Sequence, residues 1–329
     1  MGLCRNGLGL LIVAGTTLPM PAMSSDMVVE VYPNRPIKLV VGFPPGGGAD
    51  VVARHIAMYM TEDLGQKVII DNRPGALGNI AAAAVARSDA DGYTVYLAVR
   101  PVALHKAMYS NVDYDFAEDL VPVGMVVRVP YVLVMGKHVA ATTLQDALML
   151  ARGRPGAYTC ASPGPSSTNH FLCEDLQKKA AVTLAHVPYN GEIPALVDVI
   201  GGRADFAVTS VVAALPYIAS DSVRAMAVFA DTRVSAVASV PHMKELGYGD
   251  AQAQGWCAIM APTGTPAHAI SRLNQSINAA LTNAVVRKKL VQLGYVLPAA
   301  HNTPEVLETF LIEDTEKWTE ILQQRRTPD

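Results

Sequence analysis

The residues best suited to chemistry lie in glycine- and hydroxyl-rich stretches. Phe43-Pro44-Pro45-Gly46-Gly47-Gly48-Ala49-Asp50 follows the β-branched run Leu39-Val40-Val41 and precedes an apolar-periodic stretch ending at Leu64. Glycines there let main-chain N–H groups converge, and the positive end of the next helix adds potential, which makes a site for an anion. The bland alternative is a tight turn with Asp50 as an ordinary helix cap. Nucleotide phosphates fit poorly. Gly-x-x-x-x-Gly-Lys-Ser/Thr is absent, the three glycines lack dinucleotide spacing, and Asp50 would repel a pyrophosphate. A small anion, such as a carboxylate held by main-chain groups, is the expectation.

A second stretch, Ser162-Pro163-Gly164-Pro165-Ser166-Ser167-Thr168-Asn169, places hydroxyls ahead of another helix. Ser162, Ser166, Ser167 and Thr168 are candidate donors to a ligand and equally natural helix caps, so one or two are expected to touch it. Arg100 reads either as a bidentate partner for a distal carboxylate or as a solvated loop arginine. Tyr189 and Asn190 follow a strand and are candidates to line a cleft. Phe43 suits an apolar wall, whereas Asn72, Arg73 and Asp50 suit bracing of their loops.

Other chemistries find weaker support. Cys160 and Cys257 could be cast as the acid and base of a cofactor-free racemase or decarboxylase, but neither has an activating neighbour in sequence. Ser166 or Ser167 near His170 lacks a placed acid, and Gly-x-Ser-x-Gly is missing. The eight histidines are scattered without zinc spacing. A Cys160–Cys173 bridge is open but not fixed by sequence. No cofactor and no metal are expected.

The elements that must position these groups read as α/β. Of 329 residues half are hydrophobic and 17% charged, with net charge −3 and no Lys/Arg cluster, which argues against nucleic acid. Arg5, the apolar Leu8–Gly15 and the small-residue, proline-containing tail to Ser25 describe a secretory signal peptide over 1–24, hence a periplasmic protein; a buried N-terminal helix is the competing reading. Strands are expected at Ile37–Val41, Val68–Ile70 and Tyr93–Ala98, with helices between, a pattern that predicts parallel pairing. Ligands in such sheets gather beyond the carboxyl ends of strands, where Phe43–Asp50 and Arg100 fall. Tyr131–Met135, led in by Pro130, is the expected crossing into a second unit that repeats the pattern through Val223–Phe229. Trp256–Ala261 is a further strand. The final helix, Pro304–Gln323, has an apolar stripe of Val306, Phe310, Leu311, Thr315 and Trp318, expected to pack on the first unit.

Taken in order, several motifs carry a resemblance: Tyr32-Pro33-x-x-Pro36-Ile37, Phe43-x-x-Gly46-Gly47-x-x-Asp50, Asn72-Arg73-Pro74-Gly75-Ala76-x-Gly78-Asn79 and Asp91-Gly92-Tyr93-Thr94, then His170-x-x-x-Glu174, Val187-Pro188-Tyr189-x-Gly191, Gly201-Gly202-x-x-Asp205 and Ala261-Pro262-x-Gly264-Thr265-Pro266. From Tyr32 to about Trp318 the chain resembles the substrate-binding proteins of tripartite tricarboxylate transporters, the Bug family of bacterial periplasmic receptors. The resemblance implies a two-domain periplasmic-binding-protein fold of the second type, with a hinge and an interdomain ligand cleft. It places domain 1 at 32–130 and 226–329 and domain 2 at 131–225. It implies a small organic acid as ligand and membrane permease subunits as partners; a receptor that presents itself to a sensor instead is a separate reading that the sequence leaves open. A monomer is expected because hinge closure needs no second subunit. By the same resemblance Phe43, Pro45, Gly46, Gly47, Gly48, Ala49 and Asp50 form one jaw, and Ser162, Gly164, Ser166, Ser167 and Thr168 the other. Ala49 replaces a common threonine, Ser166 a usual glycine, and Thr209 a frequent aspartate. Pro163 and Pro165 remove two amides. With Thr209 there, a ligand amine loses an expected acceptor.

Overall fold

The β-branched run Ile37–Val41 forms β1, the middle of three parallel strands. In this computed structural model it pairs with β2 (Val68–Asn72) on one side and β3 (Thr94–Val99) on the other. Residues 1–2, 31–108, 112–165, 167–230, 233–249, 255–298 and 301–324 are described. All of the expected signal peptide except residues 1 and 2, and Ser166, lie outside them.

Between β1 and β2 runs α1 (Gly48–Leu64). Its stripe Val52, Ile56, Met60 and Leu64 is buried, and Gly65 ends the helix at φ 67°, a left-handed cap that glycine takes without strain. The short α2 (Asn79–Ala86) links β2 to β3, and three one-turn helices follow: α3 (Arg100–Ala103), α4 (His105–Met108) and α5 (Phe116–Asp119). The ten-residue β4 (Leu120–Val129) then leads across Pro130 into β5 (Tyr131–Gly136), the expected crossing.

The second sheet is built from β5, α6 (Leu144–Gly153), β6 (Thr159–Ser162), α7 (Thr168–Ala180), β7 (Ala185–Pro188), α8 (Glu192–Ile200), β8 (Phe206–Ser210), α9 (Val211–Ala219) and β9 (Val223–Phe229). The chain returns to the first sheet as β10 (Gly255–Pro262) and finishes with α10 (Ala267–Thr282), α11 (Ala284–Gln292) and α12 (Pro304–Gln324). Strand orders are β2-β1-β3-β10-β4 and β7-β6-β8-β5-β9.

Both sheets are mixed rather than wholly parallel. β10 runs antiparallel to β3 and β4, and β5 antiparallel to β8 and β9, because these are the strands that carry the chain between the sheets. β4 escapes a reading of the sequence because Pro122 and Gly124 break it. It lies at a sheet edge, where a missing N–H is tolerated. A boundary after residue 225 falls inside β9, whose ladder with β5 continues from Val223 to Phe229.

The cores meet. Val212 of α9 packs with the first sheet's core, and Trp318 of α12 joins the second, 5.9 Å from the Phe171 ring. The buried stripe of α12 is therefore Leu307, Leu311 and Trp318, reaching both sheets, while Val306 is exposed. The Cys160–Cys173 disulfide ties β6 to α7 around the hydroxyl-rich loop.

Candidate functional site

The loop from β1 into α1 is held from behind. Asp50, 2% exposed, accepts the Gly46 N–H at 2.9 Å, Asn72 Nδ2 at 2.9 Å, and both Nε and Nη2 of Arg54 at 2.9 Å. Asn72 Nδ2 also donates to the Phe43 carbonyl at 3.0 Å. Burial pushes the Asp50 carboxyl up, but the bonds from Arg54, Gly46 and Asn72 outweigh it and hold the group below its ordinary range. Gly46 adopts φ 86°, where a side chain would be strained. The carboxylate thus consumes the Gly46 amide, and no side chain caps α1, whose cap residue is Gly47. Its first-turn N–H groups are orphans of the helix and carry its positive end.

The hydroxyl-rich loop braces itself. Ser162 Oγ accepts the Gly164 N–H at 3.2 Å and bonds His186 Nε2 at 2.7 Å. Ser167 donates to the Gly164 carbonyl at 2.8 Å and, as cap of α7, accepts the His170 N–H at 3.1 Å. Gly191, at φ 118°, precedes α8 without a side-chain cap.

Between these helix starts lies a cleft of about 130 Å³. Phe43, Pro45, Gly47, Gly48, Ala49, Arg100 and Trp256 face it from the first sheet's side. Tyr131, Ser167, Asn169, Asn190, Glu192 and Ser210 face it from the second. Of the residues expected from sequence, Phe43, Pro45, Gly47, Gly48, Ala49, Arg100, Ser167 and Asn190 line this cleft. Gly46, Asp50, Ser162, Gly164, Thr168, Tyr189 and Thr209 do not. Gly46, Asp50, Ser162 and Gly164 are bound up in the supporting loops. The Tyr189 hydroxyl turns to Asp198 at 2.8 Å, and burial together with that carboxylate pushes its phenol up to about 12. Thr209 is 1% exposed.

Arg100 is not a solvated loop arginine. It is 4% exposed, and its fork engages Asp314 of α12, Nε at 2.8 Å and Nη2 at 3.0 Å, with the guanidinium 4.7 Å from the Trp318 ring centroid. Trp256 Nε1 donates to the same Asp314 at 2.8 Å. The distal helix partner of Arg100 could not be read from local spacing.

Sequence reasoning missed a polar cluster on the second side. Glu192 Oε1 accepts Asn169 Nδ2 at 2.9 Å and the Ser210 N–H at 2.8 Å, while Oε2 accepts the Ser210 hydroxyl at 2.6 Å. Asn169 also donates to the Val208 carbonyl at 2.9 Å. The available signal was the place of Glu192 just after Asn190-Gly191, the position of a first-turn acid. Burial raises the Tyr131 phenol, and the Glu192 charge adds to the rise. Burial and Glu192 likewise push the Cys257 thiol up to about 12. With Cys160 in a disulfide and Cys257 buried as a thiol, the two cannot form an acid–base pair. Among the described residues no cluster of three or more His, Cys, Asp or Glu is arranged for a metal, and no helix is long and apolar enough to cross a membrane.

Residues 52–327 match the model of the tripartite tricarboxylate transporter family receptor. Protein BugT of Bordetella pertussis is 35% identical over 317 residues, covering 96% of this chain and 97% of that protein. Among solved structures, Rpa4515 of R. palustris with adipate is 30% identical with a TM-score of 0.86, covering 89% of this chain and 98% of that one. MatC of Rhodopseudomonas palustris with bound malate is 29% identical with a TM-score of 0.82, covering 88% and 100%. The fold is the two-lobed periplasmic-binding-protein α/β fold. With a family model covering most of its length and a relative matched nearly end to end, the chain belongs to the receptor family of the tripartite tricarboxylate transporters.

Proposed function

We propose that this protein is a periplasmic solute receptor that takes a small carboxylate into the cleft between its two sheets and delivers it to a membrane permease. The observation that carries the reading is the uncapped start of α1: Gly47, Gly48 and Ala49 face the cleft, and no side chain caps that helix. A carboxylate there would accept N–H groups that otherwise lack helical partners and would sit at the favourable end of the dipole. Phe43, Pro45 and Trp256 give the ligand an apolar wall, and Ser167 and Asn190 close the other side. The adipate and malate bound by similar proteins support the same class of ligand. The N-terminal sequence supports export, and the protein acts as a monomer that closes about its hinge without transforming what it binds.

The experiment is a thermal-shift panel of mono-, di- and tricarboxylates on protein stripped by denaturation and refolding. A ligand that binds only the folded state must raise its melting temperature, by about 2.7 kcal/mol of added stability at a hundred times Kd. One saturable class of carboxylate is expected. No shift with any carboxylate sinks the reading.

A further inference from the structure

Glu192 and Arg100 are the charged side chains among the described residues lining the cleft, and Arg100 has its fork on Asp314. Glu192 is fixed from two elements besides its own, the β8–α9 corner through Ser210 and α7 through Asn169. An acid in a helix's first turn gains from the dipole wherever on the rim it points. Tethering it inward with three hydrogen bonds adds a rotamer cost that helix stabilisation alone does not require. A carboxylate offers about four acceptor positions, and Asn169 and Ser210 fill three of them, leaving one on Oε2. Much of the remaining wall is apolar, including Phe43, Ile193 and Trp256.

We infer that Glu192 is the specificity-determining residue of the cleft, selecting a carboxylate whose far end carries a hydrogen-bond donor, an ammonium or a hydroxyl, and rejecting dicarboxylates. The inference rests on the receptor reading and deepens it. A second ligand carboxylate reaching Glu192 would meet a fixed like charge, which repels it where a donor would be attracted. A donor would take the open position on Oε2 as a charge-assisted bond. The amine acceptor that Thr209 cannot offer, buried away from the cleft, is thus supplied from the start of α8.

The test uses matched pairs that differ at the far end: 4-aminobutanoate against succinate, and 6-aminohexanoate and 6-hydroxyhexanoate against adipate. Affinities are measured by calorimetry on the stripped full-length protein. The wild type is expected to favour the donor-bearing member of at least one pair by tenfold or more, roughly the worth of one hydrogen bond to a charged group. Glu192→Gln keeps the shape and removes the charge, so it should narrow or invert that preference by improving the dicarboxylate. A wild type that binds these acids but favours the dicarboxylates overturns the inference and leaves the receptor reading standing, with no variant needed. A donor preference that Glu192→Gln leaves unchanged overturns it as well. Failure of every carboxylate to bind removes the receptor reading and this inference with it.

Discussion

Gly48 lies directly against Ser210: a β-carbon built on Gly48 would sit 3.0 Å from the Ser210 hydroxyl and 3.1 Å from Val212 Cγ1. The same hydroxyl donates to Glu192 at 2.6 Å. The open start of α1, from the first sheet, is therefore one side chain away from the carboxylate anchored on the second. On its other face Gly48 is held by the Tyr295 hydroxyl, which donates to its carbonyl at 2.5 Å. A narrow main-chain approach of this kind explains why glycine stands here even though no unusual φ demands it.

Neighbouring glycines should consequently behave differently. A side chain at Gly47 meets only the Pro44 carbonyl, at 3.8 Å, and projects at the cleft-lining start of the helix; its φ of −76° suits any residue. Gly47→Leu is expected to cost no more than about 1 kcal/mol of stability, the scale of a poorer cap, while abolishing carboxylate binding. Gly48→Val forces Ser210 and Val212 aside and should lose about 1–3 kcal/mol as well as binding. Parallel denaturant melts and calorimetry separate the two; equal destabilisation would count against the packing just described.

Asp50 gives the fold an acid-sensitive point. Its carboxyl titrates below its ordinary value because Arg54, Gly46 and Asn72 favour the ionised form. The unfolded chain therefore binds the proton more readily, and the stability from this group is present above about pH 4 and lost as pH falls through the lower folded value. Asp50→Asn should cost about 1–3 kcal/mol at neutral pH by leaving Arg54 facing an amide. It should also flatten the wild type's loss of stability below pH 4, read from urea midpoints across pH 3–7.

Much of this was legible in sequence, and its limits have physical reasons. The strand–glycine loop–helix of β1 and α1 announced itself through a period change and turn residues only a few positions apart. That Asp50 and Asn72 brace their loops was legible from residue type, though their bond to each other depends on β2 running on to Asn72, in register opposite Val41 of β1. Arg100 was not, since Asp314 is distant in sequence and meets it only when α12 returns across both sheets. Glu192 was missed for the opposite reason: it is local, but a first-turn acid looks the same whether it faces solvent or a cleft. Thr209 was named through the resemblance alone, and on β8 strand alternation places it on the other face from Ser210, which lines the cleft.

The disulfide and the Cys257 thiol make separable predictions. The Cys160–Cys173 link closes a short loop, with a sequence separation of 13, so reducing it should cost about 3 kcal/mol if unfolded-chain entropy dominates. Cys257 is buried and its thiol is pushed up to about 12, so it should resist alkylation in the native protein and react only after unfolding. Mass spectrometry after native and denaturing alkylation, without reductant, should count zero and one modified cysteine respectively among Cys160, Cys173 and Cys257. Two further native modifications would mean that the pair is open.

The last prediction concerns the Arg100–Asp314 pair, whose side chains are 5% and 10% exposed. Asp314 accepts both the arginine fork and the Trp256 indole, so it joins α12 to the cleft wall at β10 and α3. Removing one member of a buried pair leaves the other charge uncompensated, and Arg100→Ala or Asp314→Ala should each cost about 3–5 kcal/mol. Replacing both, as Arg100→Met with Asp314→Leu, should recover much of that loss, because a buried pair is worth little against apolar side chains of similar size. If Arg100 instead served the ligand, Arg100→Ala would spare stability and weaken only dicarboxylates. Denaturant melts of the four proteins, with adipate and 6-aminohexanoate titrations of those that fold, tell these apart. A stable Arg100→Ala variant with selectively reduced adipate binding would return the arginine to the ligand site.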